Sequence, residues 1–172
     1  MNFHPSIRWV VALKPEAQPI IETLRLSLCK NEKKYPTYSD KSGKHWLVIS
    51  GIGKTNISNA VVYLNEKSEA PPWATWINVG IAGSGIGDYG EIYLIDRISS
   101  EIDADSLYPG VAVSTELLRS SLLTVDQPKT DYQGQELIDM EGYGFYETVS
   151  KFSCRELIAI LKIISDGPNS AV

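Results

Sequence analysis

The feature that most constrains the fold is the alternation of short apolar runs with segments in which apolar residues recur at helical spacing. The runs predict strands at residues 8–13, 45–50, 74–79, 91–96, 121–125 and 157–164. The intervening patterns predict helices at about 14–29, 54–67 and 140–152. Strands that alternate with helices form a parallel or mixed sheet covered on both faces. The sequence therefore predicts a three-layer α/β/α sandwich with a central mixed β-sheet.

Length and composition predict one domain over residues 1–172. The chain is 43% hydrophobic and 22% charged, enough to bury one sizeable core, and no linker or repeat divides it. Its formal net charge is −5, and no stripe of Lys and Arg is visible. Nucleic acid and anionic membranes require a basic surface, so we expect neither as a partner. A small molecule is the expected partner.

The sequence predicts a cytoplasmic protein without a metal. No apolar run reaches the roughly 18 residues of a membrane span, and the first residues lack the pattern of a secretory leader. Cys29 and Cys154 are too few and too far apart for a zinc site, and only His4 and His45 could add imidazole ligands.

Two carboxylates, Glu141 and Asp166, each follow a short apolar run, and the ends of strands are where α/β proteins build their sites. Glu16 follows a third run, at the start of a predicted helix. Plainer interpretations stay open, because acids at helix starts are favoured by the helix dipole and by capping. Asp139, Glu141 and Asp166 could each be caps, and Glu16 a solvated first-turn acid.

Two glycine-rich turns also follow predicted strands. The turn at 51–55 (GIGKT) lacks the spacing of a phosphate-binding loop, which would need glycine at Val48, and of a dinucleotide fingerprint, which would need glycine at Asn56. Alone, it indicates a tight turn. The second, at 80–88 (GIAGSGIGD), predicts a loop at the same edge of the sheet as the carboxylates.

Taken in order, several segments resemble the nucleoside phosphorylase and nucleosidase superfamily, most closely its 5'-methylthioadenosine/S-adenosylhomocysteine nucleosidase branch. They are VALKPE (11–16), SGIGK (50–54), NVGIAG (78–83), GEI (90–92), DMEG (139–142) and ISDG (164–167). The resemblance covers nearly the whole chain. It implies a phosphorylase/hydrolase-like fold and hydrolysis of the N-glycosidic bond of an adenosine-type nucleoside without a cofactor.

The resemblance also implies roles for individual residues. Asp166 is expected to be the general acid that protonates the purine N7, and Glu16 to orient or deprotonate the attacking water. Glu141 is expected to accept hydrogen bonds from the ribose hydroxyls, and Met140 to pack beside the sugar. The remaining substrate-binding residues that it implies are Asn78, Gly80, Ile81, Ala82 and Gly83.

Two alternatives to a nucleosidase stay open. The first is a phosphorylase with phosphate as co-substrate. Asn78 stands where hexameric phosphorylases carry a phosphate-binding arginine, which favours water as the nucleophile. The second is a catalytically weakened nucleoside-binding protein. Base preference also stays open, because Pro128 and Lys129 stand where nucleosidases carry a residue under the purine.

The chain is shorter than family members commonly are, between Asp96 and Ser121 and after Asp166. That shortness would leave part of a sheet or site wall uncovered. We therefore expect a homodimer or higher homo-oligomer, with aromatics such as Trp73, Trp76 and Tyr63 in its interface.

Overall fold

The structure is a computed structural model that describes residues 6–30, 34–103, 105–110, 116–129, 131, 132, 134 and 136–167. Among these, it contains nine strands, three α-helices and one 3₁₀ turn at Arg155–Leu157. The strands are β1 (Ile7–Val11), β2 (Ser27–Leu28), β3 (Thr37–Ser39), β4 (His45–Ile49), β5 (Thr75–Ser84), β6 (Ile92–Ser100), β7 (Leu118–Thr124), β8 (Leu137–Asp139) and β9 (Ile158–Asp166). The helices are α1 (Lys14–Leu24), α2 (Lys54–Lys67) and α3 (Gly142–Val149).

All nine strands belong to one mixed sheet in the order β2-β3-β4-β1-β5-β8-β7-β6-β9, and β9 also pairs with β5. That last pairing closes the five strands β5 to β9 into a ring. We call these five strands the ring and the four strands β1 to β4 the wing. The predicted central mixed sheet is confirmed, whereas the ring is a feature that the strand predictions did not contain.

Helices cover both faces of the wing, because successive residues of its strands point to opposite sides. Val10 of β1 and Val48 of β4 pack in the same core as α2, while Val11 and Leu47 pack against α1. The first of these cores continues into the ring, where it includes Ile95, Leu122 and Ile160. The three-layer arrangement is thereby confirmed for the wing.

Several predicted boundaries differ from the structure, and two of the differences are the largest. Helix α1 ends at Leu24 instead of about residue 29, because Arg25 takes a left-handed conformation (φ 52°, ψ 45°), after which the chain enters β2. Residues 80–83, predicted as a loop, continue β5 to Ser84. They stay extended because β9 pairs with β5 along this stretch and β8 pairs with Gly83 and Ser84.

The three aromatics proposed for an interface differ in exposure. Trp76 is 1% exposed and belongs to the core, so the prediction that it lies in an interface is wrong. Tyr63 packs against the same core, and Trp73 is 49% exposed. Among the described residues, no helix has the length and apolar character needed to cross a membrane.

Candidate active site

The candidate site lies where β5 pairs with both of its neighbours in the ring. Gly83 is in register with Ile138 of β8 on one side and with Asp166 of β9 on the other. The loop that follows β8 and the last residue of β9 are therefore brought to one place. They line a cleft of about 220 Å³ together with the start of α1.

Glu16 is held by three backbone N–H groups. One carboxylate oxygen accepts hydrogen bonds from the N–H groups of Ala12 (3.0 Å) and Leu13 (2.7 Å), which ties it to the end of β1. The other accepts from the N–H of Ile81 in β5, at 3.1 Å. The plainer interpretation, a solvated first-turn acid, is wrong, because the carboxylate accepts from the N-cap residue Leu13 of α1, also binds β5, and faces the cleft.

Glu141 is buried at the start of α3, with 8% of its surface exposed. Its carboxylate makes no capping bond to α3 and instead accepts a 2.7 Å hydrogen bond from the N–H of Gly53. Gly53 has a φ of 103°, a conformation that favours glycine, so the turn at 51–55 supplies a donor to this acid. Burial raises the pKa of the Glu141 carboxyl above its ordinary value, and the charge of Lys162 opposes that rise.

A buried ion pair lies beside Glu141. The Nζ atom of Lys162, in β9, is 2.8 Å from Oδ2 of Asp139, and the two side chains are 1% and 0% exposed. Asp139 also accepts hydrogen bonds from Thr124 Oγ1 and from the N–H of Gly142, both at 2.7 Å. Asp139 is therefore a cap of α3, as one interpretation predicted, and it also anchors the buried cation.

Gly80 lets this cation approach Glu16. A Cβ atom at residue 80 would lie 3.1 Å from Nζ of Lys162 and 3.3 Å from Oε1 of Glu16. One positive charge is thus surrounded by three carboxylates, those of Asp139, Glu16 and Glu141, and the latter two face the cleft. The charge of Lys162 offsets part of the repulsion among these carboxylates, because an opposite charge lies beside them.

Asp166, the last residue of β9, lies at another part of the cleft lining. Ser165 donates a 2.6 Å hydrogen bond to its Oδ1 atom, and the hydroxyl of Tyr132 donates to Oδ2. Neither bond is made to a helix terminus, and a terminal turn that Asp166 could cap would lie largely outside the described residues.

Most of the predicted site residues come together. The cleft is lined by Glu16, Ile81, Ala82, Gly83, Met140, Glu141 and Asp166. Gly80 lies behind this lining, next to Glu16 and Lys162. Asn78 lies apart from it: its side chain is 1% exposed and donates to the carbonyl of Val10 at 3.0 Å.

Three site residues escaped the sequence analysis, namely Lys162, Thr124 and Tyr132. Lys162 could have been found from the sequence. It stands within the apolar run of β9, two residues from Ile160 and two from Ile164, on the face of the strand where both are buried. A lysine on the buried face of a strand requires a partner, which marks a site. The positions of Thr124 and Tyr132 depend on strand pairing and loop geometry that no local pattern encodes.

Within the part of the chain that the structure describes, no three His, Cys, Asp or Glu side chains are arranged to hold a metal ion. The polar groups of the cleft are instead carboxylates, hydroxyls, backbone N–H groups and the ammonium group of Lys129. This set can accept hydrogen bonds from sugar hydroxyls and exchange protons with a bound molecule.

Solved structures with the same fold include nucleosidases. The 5'-methylthioadenosine/S-adenosylhomocysteine nucleosidase of Helicobacter pylori, solved with butyl-thio-DADMe-Immucillin-A, superposes with a TM-score of 0.79 at 13% identity, over 97% of this chain and 87% of that chain. The Campylobacter jejuni nucleosidase of the same name gives 0.75 at 18% identity, over 98% and 89%. The Chlamydia trachomatis protein abbreviated MTAN gives 0.72 at 21% identity, over 96% and 84%.

A scan against protein-family models finds no match, and a search of the curated proteins finds none. The structural likeness at 13–21% identity establishes the fold. This chain has the α/β fold of the 5'-methylthioadenosine/S-adenosylhomocysteine nucleosidases, as the sequence resemblance implied.

Proposed function

We propose that this protein is a purine nucleosidase that hydrolyses the N-glycosidic bond of an adenosine-type nucleoside, such as methylthioadenosine or S-adenosylhomocysteine. The observation that carries the proposal is the grouping of Glu16, Met140, Glu141 and Asp166 around one cleft. Helix α1, the connection between β8 and α3, and strand β9 contribute these residues. The cleft belongs to a fold that known nucleosidases share.

In the proposed reaction, Asp166 gives a proton to N7 of the purine. The bond between C1' and N9 breaks, and its electron pair leaves with the base. The sugar then carries positive charge, as in other glycoside cleavages. Proton transfer to a leaving group accelerates such a step by about 10² to 10⁴.

Glu16 and Glu141 act on the sugar side. Glu141 accepts hydrogen bonds from the ribose hydroxyls, and its negative charge stabilises the positive charge that develops on the ring. Glu16 takes a proton from water while the water oxygen bonds to C1'. Lys162 is a positioning residue here, because its charge offsets the repulsion among Glu16, Asp139 and Glu141. The proposed reaction uses no metal or organic cofactor.

Water is the proposed nucleophile because a phosphate ion needs cations or several N–H donors that are free to bind it. Lys129 is the one cation among the described residues that line the cleft, and it forms an ion pair with Glu101. Lys162 is paired with Asp139. The N–H groups of Gly53 and Ile81 already bind carboxylates.

We further propose that the 172 residues act as one domain in a cytoplasmic homodimer or higher homo-oligomer that binds neither nucleic acid nor membranes. Exposed apolar side chains around and beyond the cleft support an interface, among them Ile52 (51% exposed), Ile81 (44%) and Ile102 (70%). Light scattering at micromolar concentration tests the oligomer, and a monomer alone would contradict it.

The function is tested by release of free base from methylthioadenosine, S-adenosylhomocysteine, adenosine and inosine. Each nucleoside is incubated with the protein in phosphate-free buffer and again with added phosphate. We expect release from at least one 6-amino purine nucleoside without phosphate. Release that requires phosphate would indicate a phosphorylase. Binding without release by the folded protein would indicate a nucleoside-binding protein.

A further inference from the structure

Tyr132 lies at Asp166, the residue to which the proposed function assigns the proton. Its hydroxyl donates a hydrogen bond to Oδ2, while Ser165 donates to Oδ1 at 2.6 Å. Both oxygens of the carboxylate therefore accept hydrogen bonds from the protein itself. A general acid must present one of these oxygens, with its proton, to the base, so the base has to approach an oxygen at which a side chain of the protein already donates.

The ring of Tyr132 is seated on glycine. A Cβ atom at Gly83 would lie 2.2 Å from Cε1 of Tyr132, and a Cβ atom at Gly85 would lie 2.2 Å from the Tyr132 carbonyl oxygen. Any side chain at these two positions of β5 and its exit would collide with Tyr132. Gly83 and Gly85, which belong to the glycine-rich segment 80–88, thus make room for Tyr132.

The same side chain occupies space in the cleft. Tyr132 belongs to the lining, and the free volume of about 220 Å³ is below the roughly 300 to 1,000 Å³ typical of small-molecule sites. The place beside Asp166 is where the base of a nucleoside must lie if Asp166 is to protonate it. The phenol and the base would therefore occupy the same place.

We propose that Tyr132 competes with the purine base for Asp166 and is the residue that sets the affinity of the base subsite. The proposal rests on the proposed function, because that function places the base at Asp166. In the free protein the phenol holds the place of the base. In the complex the base displaces the phenol from Oδ2 and from its seat on Gly83.

The phenol is suited to this role at neutral pH. Burial and the charge of Asp166 raise the pKa of Tyr132 to about 12, so its hydroxyl keeps its proton and remains a donor. A donor to a carboxylate is one of the stronger hydrogen-bonding arrangements, and a ligand must replace it before gaining contacts of its own. Removal of the hydroxyl should therefore tighten binding.

The test is the affinity for adenine, measured by calorimetry on the wild-type protein, on Tyr132→Phe and on Tyr132→Ala. We expect Tyr132→Phe to bind adenine about 10-fold or more tightly than the wild type, since one hydrogen bond to a charged group no longer competes. The phenyl ring of Tyr132→Phe could stay on Gly83 and still block the base. Tyr132→Ala removes the ring as well and therefore tests that case. Tyr38→Phe, on β3 of the wing, removes a phenol hydroxyl away from the cleft and should leave the affinity unchanged.

Tighter binding by either Tyr132 variant supports the proposal. Wild-type or weaker affinity in both variants would overturn it, and weaker affinity would mean that Tyr132 helps to hold the base. The proposal would also be overturned if none of the proteins bound adenine while their urea midpoints showed that all of them were folded. Base release is measured separately on the same variants: if none cleaves a nucleoside, the proposed function fails, while the adenine affinities still decide on Tyr132.

Discussion

The side of the wing that packs on α1 and the ring bury different kinds of residue. Between the wing and α1 the core consists of apolar side chains, with Val11, Ala17, Leu26 and Leu47 buried. The ring buries Lys162 and Asp139 together, with Glu141 beside them. Apolar burial stabilises a fold, whereas buried charges must be paired to be tolerated at all. Both regions thus gain stability from apolar burial, and the ring in addition holds the paired charges of the cleft. The wing has one buried charge of its own, Arg8 of β1, which donates a hydrogen bond to Ser68.

The largest effect on stability is expected from Lys162→Met. The variant leaves the Asp139 carboxylate buried without its cation, and breaking a buried ion pair in this way costs about 3 to 5 kcal/mol of unfolding free energy. Urea unfolding measures the loss. The double variant that adds Asp139→Asn removes both charges and should recover part of it.

Lys151→Met is the control for that comparison, because Lys151 is exposed and the change in net charge is the same. Its unfolding free energy should stay within about 0.5 kcal/mol of the wild type. A Lys162→Met protein as stable as this control would show that the ring does not depend on its buried charge.

A smaller loss is expected from Leu47→Ala in the wing. Leu47 is fully buried against α1, and truncation of a buried leucine costs about 2 to 5 kcal/mol through lost burial and the cavity left behind. The rate per folded molecule should stay at the wild-type value, because Leu47 does not line the cleft.

Leu28→Ala is the matched control in the same wing, since Leu28 is 59% exposed. Its unfolding free energy should change by less than about 0.5 kcal/mol. A Leu47→Ala protein that loses turnover without losing stability would contradict the division between wing and ring.

The smallest effect on stability is expected from Glu141→Gln. Burial raises the pKa of Glu141 in the folded protein, so the folded state binds this proton more tightly than the unfolded state does. The stability that the group contributes is fully present below its unfolded pKa and is lost as the pH rises through the raised pKa. Glutamine carries no charge and avoids that loss.

Unfolding free energies of Glu141→Gln and the wild type, measured from below the ordinary pKa of a glutamate up to neutral pH, should therefore shift in favour of the variant as the pH rises. In the same variant, kcat/KM should fall, because an amide donates as well as accepts and carries no negative charge beside the sugar. A variant that becomes relatively less stable toward pH 7 would mean that attraction to Lys162 outweighs burial.

Two strands of the wing, β1 and β4, and the site acids could be predicted from sequence because they depend on local patterns, whereas the short strands β2 and β3 were missed. The apolar runs of β1, β4 and β9 stand out along the chain, and Glu16, Glu141 and Asp166 each follow such a run. The closure of the ring could not be predicted, because it depends on pairing between β5 and β9, which are far apart in the sequence.

Two local features were also missed, for physical reasons. The end of α1 at Leu24 has no glycine to mark it, since Arg25 itself takes the left-handed conformation. The prediction that the acids meet at the carboxyl ends of parallel strands was incomplete, because β8 runs antiparallel to β5. The acids meet because β5 extends to Ser84 and pairs on both sides.

The central claim is that Asp166, at the end of β9, gives the proton on which turnover depends. The most direct test is the rate of base release from methylthioadenosine in phosphate-free buffer, measured for the wild-type protein, Asp166→Asn and Asp88→Asn. Asp88→Asn is the control, because Asp88 is exposed and lies outside the described cleft lining. The account predicts that Asp166→Asn lowers kcat by about 10² to 10⁴ with KM and the urea midpoint largely kept, while Asp88→Asn matches the wild type. An Asp166→Asn protein that releases base at the wild-type rate would contradict it.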